Sequence, residues 1–236
     1  MPRPSGSGRR LIKCGSKPEA SGLDPVSFWF PVIYGLMVMT RASFVLATLA
    51  LLALIISPAQ GQEGDVKAGQ AKAQLCAACH GKNGVSQIAL TPSLAGQPDE
   101  YVQWQLVYFR SGARKSQAMQ LIAGQLKNQD IRDLGAYYAS LKPPAPAPTS
   151  ASDALAKKGE MIAKQQRCRS CHYDKLEGYR SSARLASQRE DVLLKALRDF
   201  KSGARVGSGV ASMSDVVYPL DDDDMKALSH YMATHP

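Results

Sequence analysis

The chain lacks most of what marks the special classes of protein. Five cysteines among 236 residues are too few for a disulfide scaffold. Glycine and proline make up about a seventh of the residues, which excludes collagen and argues against a wholly disordered chain. Sustained alternation of apolar and polar residues is missing, so nothing reads as a half-buried strand. Acidic residues are in deficit: 29 Lys and Arg against 20 Asp and Glu give a net charge of +9, a balance that raises nucleic acid as a partner. Dividing the chain weakens that reading. Residues 1–61 hold six of the basic residues and only two acids, Glu19 and Asp24, and the remaining net +5 lies among interspersed acids. A mildly basic surface of mixed sign suits docking to an acidic protein, not wrapping nucleic acid.

What is present begins with an address. Residues 45–56, VLATLALLALII, form a twelve-residue apolar run, with Arg41 before it and the small residues of SPAQGQ after it. A basic segment, a short apolar segment and a small-residue cleavage site make a secretory signal peptide. Cleavage is expected after Ala59 or Gly61, with delivery to the periplasm. The run is shorter than the about 20 residues of a comfortable membrane span. An uncleaved anchor, helped by the apolar stretch 28–38, is the rival reading and would leave the protein membrane-attached. Residues 1–38 are rich in Pro, Gly, Ser and Arg and precede a complete signal beginning at Met39, so translation is expected to start at Met37 or Met39. Cys14 falls in that leading segment, which leaves four cysteines in the exported chain.

The rest is a tandem repeat. CAACH at 76–80 returns as CRSCH at 168–172, LAGQ at 94–97 as LASQ at 185–188, and FRSGAR at 109–114 as FKSGAR at 200–205. DIRDLGAYYAS at 130–140 returns as DMKALSHYMAT at 224–234. Four blocks in one order mean a duplicated domain. Between the copies runs PPAPAPTSAS, residues 143–152, whose prolines resist helix and favour a semi-rigid spacer. The expected domains are therefore 62–142 and 153–236.

Each copy reads as helices joined by loops, an all-α fold. Val102, Leu106 and Phe109 share a helical stripe ending at Gly112; Val192, Ala196 and Phe200 are the expected equivalents, ending at Gly203. A final helix carries Ile131, Leu134, Tyr138 and Leu141 in the first copy, and Met225, Leu228 and Met232 in the second. Each copy has only some 80–90 residues, about the size at which a domain benefits from a staple such as a large apolar cofactor.

C-x-x-C-H is the attachment motif of a c-type haem. Cysteines at i and i+3 lie on one face of a helical turn, so their sulfurs can join the two vinyl groups on one edge of the porphyrin while the next residue offers imidazole to the iron. Cys76 and Cys79 are expected to tether one haem with His80 as proximal ligand, and Cys168, Cys171 and His172 to do the same for a second. Disulfides, a four-cysteine zinc site and a thioredoxin-like motif are weaker readings. All three leave the histidines unexplained.

The sixth ligand is expected from methionine. Met119 lies 39 residues after His80 and Met213 lies 41 after His172; each stands seven before a leucine, Leu126 or Leu220, in what reads as a loop before the last helix. Methionine is usually core filler, and the repeated match outside the helices is what favours ligation. Met225 and Met232 read as core, Met161 has no counterpart, and His230 and His235 lack repeated partners. A neutral thioether favours ferrous iron and raises the reduction potential. With both axial positions filled, no site is left for oxygen, peroxide or substrate, so the chemistry that remains is one-electron transfer. An electron carrier, not a two-haem peroxidase, is expected.

With these residues in place the sequence resembles the cytochrome c4 family. CAACHG, P-S-L-A-G-Q, the F-R-S-G-A-R block, Met119 and D-I-x-x-L-x-x-Y-Y carry the resemblance, which spans about residues 64–235. It implies two domains packed about a pseudo-twofold with haem edges close together. It also implies a periplasmic carrier working from a quinol-oxidising cytochrome bc complex to a terminal haem–copper oxidase, with peripheral membrane association compatible. The alternative is a dihaem subunit accepting electrons from a periplasmic dehydrogenase such as a sulfide-oxidising flavoprotein. The second copy departs from the family pattern: Tyr173 stands where glycine usually follows the motif histidine. Ala183 stands where Pro92 supplies the carbonyl expected to accept the His80 N–H, which leaves the orientation of His172 open.

The copies also differ before the last helix, where the first has Lys127-Asn128-Gln129-Asp130 and the second Asp221-Asp222-Asp223-Asp224. Acids suit a helix start. The four negative charges, close in sequence to Met213, are expected to lower the second haem's potential by tens of millivolts and make it the lower-potential of the two.

Overall fold

The computed structural model describes residues 63–149, 153–205 and 211–236. The expected leader (1–61), both candidate start methionines and the end of the linker (150–152) lie outside the described residues. So does the stretch 206–210. Among the described residues five α-helices form in each copy, in matching order, and a 3-10 turn at Ala73–Leu75 is added in the first. Asp65 accepts from the amides of Lys67 and Ala68 and so starts α1 (Val66–Lys72); Asp153 accepts from the Ala156 amide and starts α6 (Ala154–Gln165). The haem motifs form the single turns α2 (Ala77–His80) and α7 (Arg169–His172). Paired acids occupy the first turns of α3 (Asp99–Arg110) and α8 (Glu190–Lys201), complementing the helix dipole. Short helices α4 (Gln117–Ala123) and α9 (Ala211–Val217) follow, then α5 (Asn128–Ser140) and α10 (Asp222–Thr234). The fold is all-α, with no strand among the described residues and one isolated bridge between Tyr179 and Ser182.

In each copy the first helix crosses the last, α1 on α5 and α6 on α10, with α3 and α8 packed on the same last helices. Glycine makes the crossings close. A Cβ at Gly69 would lie 2.0 Å from the Asp133 carbonyl oxygen, and one at Gly159 would lie 2.1 Å from that of Ala227. Two separate cores result: Val102, Ile131, Leu134, Tyr137 and Tyr138 in one, and Leu193, Leu197, Phe200, Leu228 and Tyr231 in the other. The stripe on α8 is thus Leu193-Leu197-Phe200; Phe200 is as expected, and the first two members lie one residue later than the expected Val192 and Ala196, which are only half-buried. The spacing i, i+4, i+7 of Val102, Leu106 and Phe109 is the one repeated. Met225 and Met232 are core, 4% and 3% exposed. No helix among the described residues is long and apolar enough to cross a membrane.

Candidate functional site

Within α2 and α7 the motif closes one turn: the His80 amide donates to the Cys76 carbonyl at 2.9 Å, and the His172 amide to that of Cys168 at 3.0 Å. Cys76 packs against the first core and Cys168 against the second, while Cys79 and Cys171 are exposed. Each motif therefore offers one thiol from the interior and one from the surface.

Both histidines are buried, His80 7% and His172 9% exposed. His80 Nδ1 donates to the Pro92 carbonyl at 2.8 Å, and His172 Nδ1 to the Ala183 carbonyl at 2.7 Å. A carbonyl only accepts, so Nδ1 carries the proton and Nε2 keeps its lone pair. Burial pulls both imidazoles below the ordinary histidine pKa, opposed by these carbonyls. Neutral, oriented imidazole is what a metal needs. The orientation left open at His172 is thus the same as at His80, because the acceptor is backbone and alanine supplies it as well as proline does.

Met119 and Met213 are not in loops. Each is the third residue of a short helix, α4 or α9, and both are half-buried. Ser116 caps α4 by accepting from the Met119 amide, a local hydrogen bond that extends the helix over a segment without a long apolar stripe. The matched helices preserve the equivalence of the two methionines, and Met213 packs against the second core.

The copies differ in backbone chemistry around the motif. Gly81 (φ 81°), Gly84 (φ 72°) and Gly96 (φ 71°) occupy left-handed positions in the first copy; Tyr173 (φ 66°), Leu176 (φ 55°) and Ser187 (φ 60°) occupy the corresponding ones in the second. The hydrogen bonds match: the Leu94 and Ala95 amides donate to the Gly84 carbonyl, those of Leu185 and Ala186 to the Leu176 carbonyl. Gly84 lies against the Tyr138 ring, where a Cβ would come within 3.1 Å. In the second copy Leu176 is fully buried and Met232 replaces the tyrosine, exchanging small-and-large for large-and-small.

The two copies clasp one another through glutamine. The Ser93 amide donates to Gln188 Oε1 at 2.9 Å and Gln188 Nε2 donates to the Ser93 carbonyl at 2.8 Å. Reciprocally, the Arg184 amide donates to Gln97 Oε1 at 3.0 Å and Gln97 Nε2 to the Arg184 carbonyl at 2.9 Å. Such reciprocity is what a pseudo-twofold requires, and the buried bonds contribute about 1 kcal/mol each.

Nearby sit two equivalent arginines. Arg114 Nη1 reaches Gln105 Oε1 at 2.7 Å, and Arg205 Nη2 reaches the same oxygen at 2.9 Å. They stack over the equivalent rings of Phe109 and Phe200. Burial, reinforced by Arg205, pulls Arg114 down to about 10. The Nε of Arg184 is buried without a partner. Arg205 is buried and Arg114 half-buried, both bonded to a neutral oxygen; an anion would offset their charge, and a haem brings two propionates. The residues present fit the group.

The family model for cytochrome c matches the chain twice, over residues 66–142 and 156–236. Cytochrome c4 of Azotobacter vinelandii is 34% identical over 198 residues, 77% of this chain and 94% of that protein. The chain belongs to the cytochrome c4 family. Reduced recombinant cytochrome c4 from Pseudomonas stutzeri superposes with a TM-score of 0.67 at 32% identity, over 73% of this chain and 100% of that one. The thiosulfate dehydrogenase electron acceptor of Thiomonas intermedia is also similar, 32% identical over 174 residues, 70% of this chain and 80% of that protein. Like cytochromes c4, the chain carries two covalently bound haem c groups, at Cys76/Cys79 and Cys168/Cys171, and is an electron carrier and not an enzyme.

Gln97, Gln188, Arg114 and Arg205 carry no motif of their own. All four lie in the repeated LAGQ/LASQ and FRSGAR/FKSGAR blocks, whose recurrence was their only signal.

Proposed function

We propose that this protein is a periplasmic one-electron carrier between a quinol-oxidising cytochrome bc complex and a terminal haem–copper oxidase. Its irons are ligated by His80 with Met119 and by His172 with Met213. Residues 1–61 serve as the upstream extension and leader, 62–142 and 153–236 as the two domains, and 143–152 as their linker. Haem c, when bound, supplies an iron that alternates between ferric and ferrous. The carbonyls of Pro92 and Ala183 hold the proximal imidazoles neutral and oriented. Met119 and Met213 offer neutral thioethers that favour the reduced iron. Arg114 and Arg205 offset propionate charge at the junction of the copies. The observation that carries the reading is the pair of buried histidines, each fixed by a carbonyl and matched by a methionine at the third position of a short helix.

The test is stopped-flow mixing of the purified holoprotein with the reduced bc complex, and of the reduced holoprotein with the oxidase. Rapid transfer in both steps is expected, together with no carbon monoxide binding to the reduced protein. Slow transfer from the bc complex overturns the donor assignment, and carbon monoxide binding overturns the ligand set.

A second reading is favoured by the similarity to a thiosulfate dehydrogenase electron acceptor. On it the donor is a periplasmic sulfur-compound dehydrogenase. Reduction by that enzyme with thiosulfate, faster than by the bc complex, would select it.

A further inference from the structure

The peptide unit joining Pro92 to Ser93 has two partners. Its carbonyl accepts the Nδ1 proton of His80 at 2.8 Å, and its N–H donates to Gln188 Oε1 at 2.9 Å. The unit joining Ala183 to Arg184 repeats the arrangement, accepting from His172 at 2.7 Å and donating to Gln97 at 3.0 Å. In each case the glutamine belongs to the other copy. Both glutamines are buried, Gln97 4% and Gln188 7% exposed, and each also donates to the carbonyl of the residue it clasps. The amide group is therefore held at both ends and away from water.

We propose that Gln97 and Gln188 are positioning residues that set the electron-donating strength of the proximal histidine in the opposite copy, and so couple the potential of each haem to its neighbouring domain. Hydrogen bonds through one peptide unit reinforce each other, by roughly 10–30% per bond. An N–H that donates to glutamine leaves its own carbonyl a stronger acceptor. The stronger acceptor draws the Nδ1 proton further from the imidazole, which becomes a better donor to ferric iron. Removing the glutamine weakens that pull and leaves the iron easier to reduce. The effect appears in the other copy, which separates it from any local consequence of the substitution. The two arms of the relay are nearly equal in length, so both haems are subject to it.

This proposal rests on the reading of His80 and His172 as iron ligands with Met119 and Met213 opposite. Its test is spectroelectrochemistry of the holoprotein in a Met119→His parent, whose shifted potential identifies the N-terminal haem. Gln188→Leu is expected to raise the potential of the N-terminal haem by about twofold in the reduction equilibrium, about 20 mV at 59 mV per tenfold, and to leave the C-terminal haem in place. Gln97→Leu is expected to do the converse. Amide exchange of Ser93 should quicken in Gln188→Leu, and that of Arg184 in Gln97→Leu. Gln188→Asn, too short to reach, substitutes where the leucine variant fails to fold, and the same shift is expected of it. A shift confined to the substituted copy's own haem, or no shift at all, overturns the proposal. Should Met119→His itself leave both potentials unmoved, the ligand reading fails and this proposal with it, whereas a shifted parent in which the glutamine substitutions do nothing overturns the proposal alone.

Discussion

The carbonyl of Ala183 accepts the Nδ1 proton of His172 at 2.7 Å, the bond that Pro92 makes to His80 at 2.8 Å. The side chain at this position is incidental to the bond. Ala183→Gly should accordingly leave the second haem's potential where it is, because the acceptor is retained. A shift comparable to that of an axial-ligand change would show that the alanine methyl positions the loop.

Replacing an axial methionine is expected to act on one centre alone. Met119→His should lower the potential of the first haem, and Met213→His that of the second, each on the order of 100 mV, since axial ligands span about 0.8 V in all. Redox titration with optical monitoring reads both. An unchanged titration in Met213→His would mean that another residue ligates the second iron.

The helix crossings tolerate no side chain. Gly69→Ala and Gly159→Ala each push a methyl into backbone at about 2 Å, and each should cost about 1–3 kcal/mol in denaturant unfolding of the holoprotein. A neutral result at either would mean that the crossing helices slide apart freely.

Tyr173 holds φ 66° where the first copy has glycine, and its ring packs on Tyr179 with centroids 5.0 Å apart. Comparing Tyr173→Gly with Tyr173→Ala cancels the lost ring contact. With ψ 169° beside that positive φ, the glycine variant should be the more stable by about 1–3 kcal/mol, the cost of this glycine-favouring region for a residue bearing Cβ. Equal stabilities would locate the strain elsewhere.

His230 bridges two helix starts: Nε2 lies 2.7 Å from Asp153, and Nδ1 lies 2.9 Å from Glu190. The carboxylate of Asp153 first, and then that of Glu190, raises the histidine pKa above its ordinary value. A raised folded pKa contributes stability that is fully present below the unfolded value of about 6.5 and is lost as pH climbs through the folded one. Wild type should therefore exceed His230→Gln in stability more at about pH 5.5 than at about pH 8.5. A constant difference across that window would mean that the imidazole does not titrate there.

The acidic run before the last helix turns out to be a paired helix start. Asp221 caps α10 by accepting from the Asp224 amide at 2.7 Å. Asp222 pairs with Arg198 and Lys226, Asp223 with Lys226, and Asp224 with Lys158. With its charge so offset, the run is expected to lower the second haem's potential by less than four bare carboxylates would.

Features that depend on near neighbours were legible in the residue order. The duplication, the helices and the haem attachment follow from spacings of three, four and seven residues, and a helix turns those spacings into one face whatever the rest of the chain does. Even there periodicity alone does not say which of two adjacent apolar residues faces the core, and on α8 it marks Val192 and Ala196 where Leu193 and Leu197 are buried. Met119 and Met213 were legible as a repeated pair, but not as helical, because the serine cap that helps to place Met119 within α4 is a weak local signal. The folded chain alone decided the rest. A backbone carbonyl is present in every residue, so no side chain marks Ala183 as the acceptor for His172. The glutamine clasps join residues 87 to 95 apart, and Tyr173, Leu176 and Ser187 keep left-handed backbones that their own residue types disfavour. Only the packing of two copies supplies those partners and imposes those angles, because the free energy that holds them comes from contacts distant in sequence.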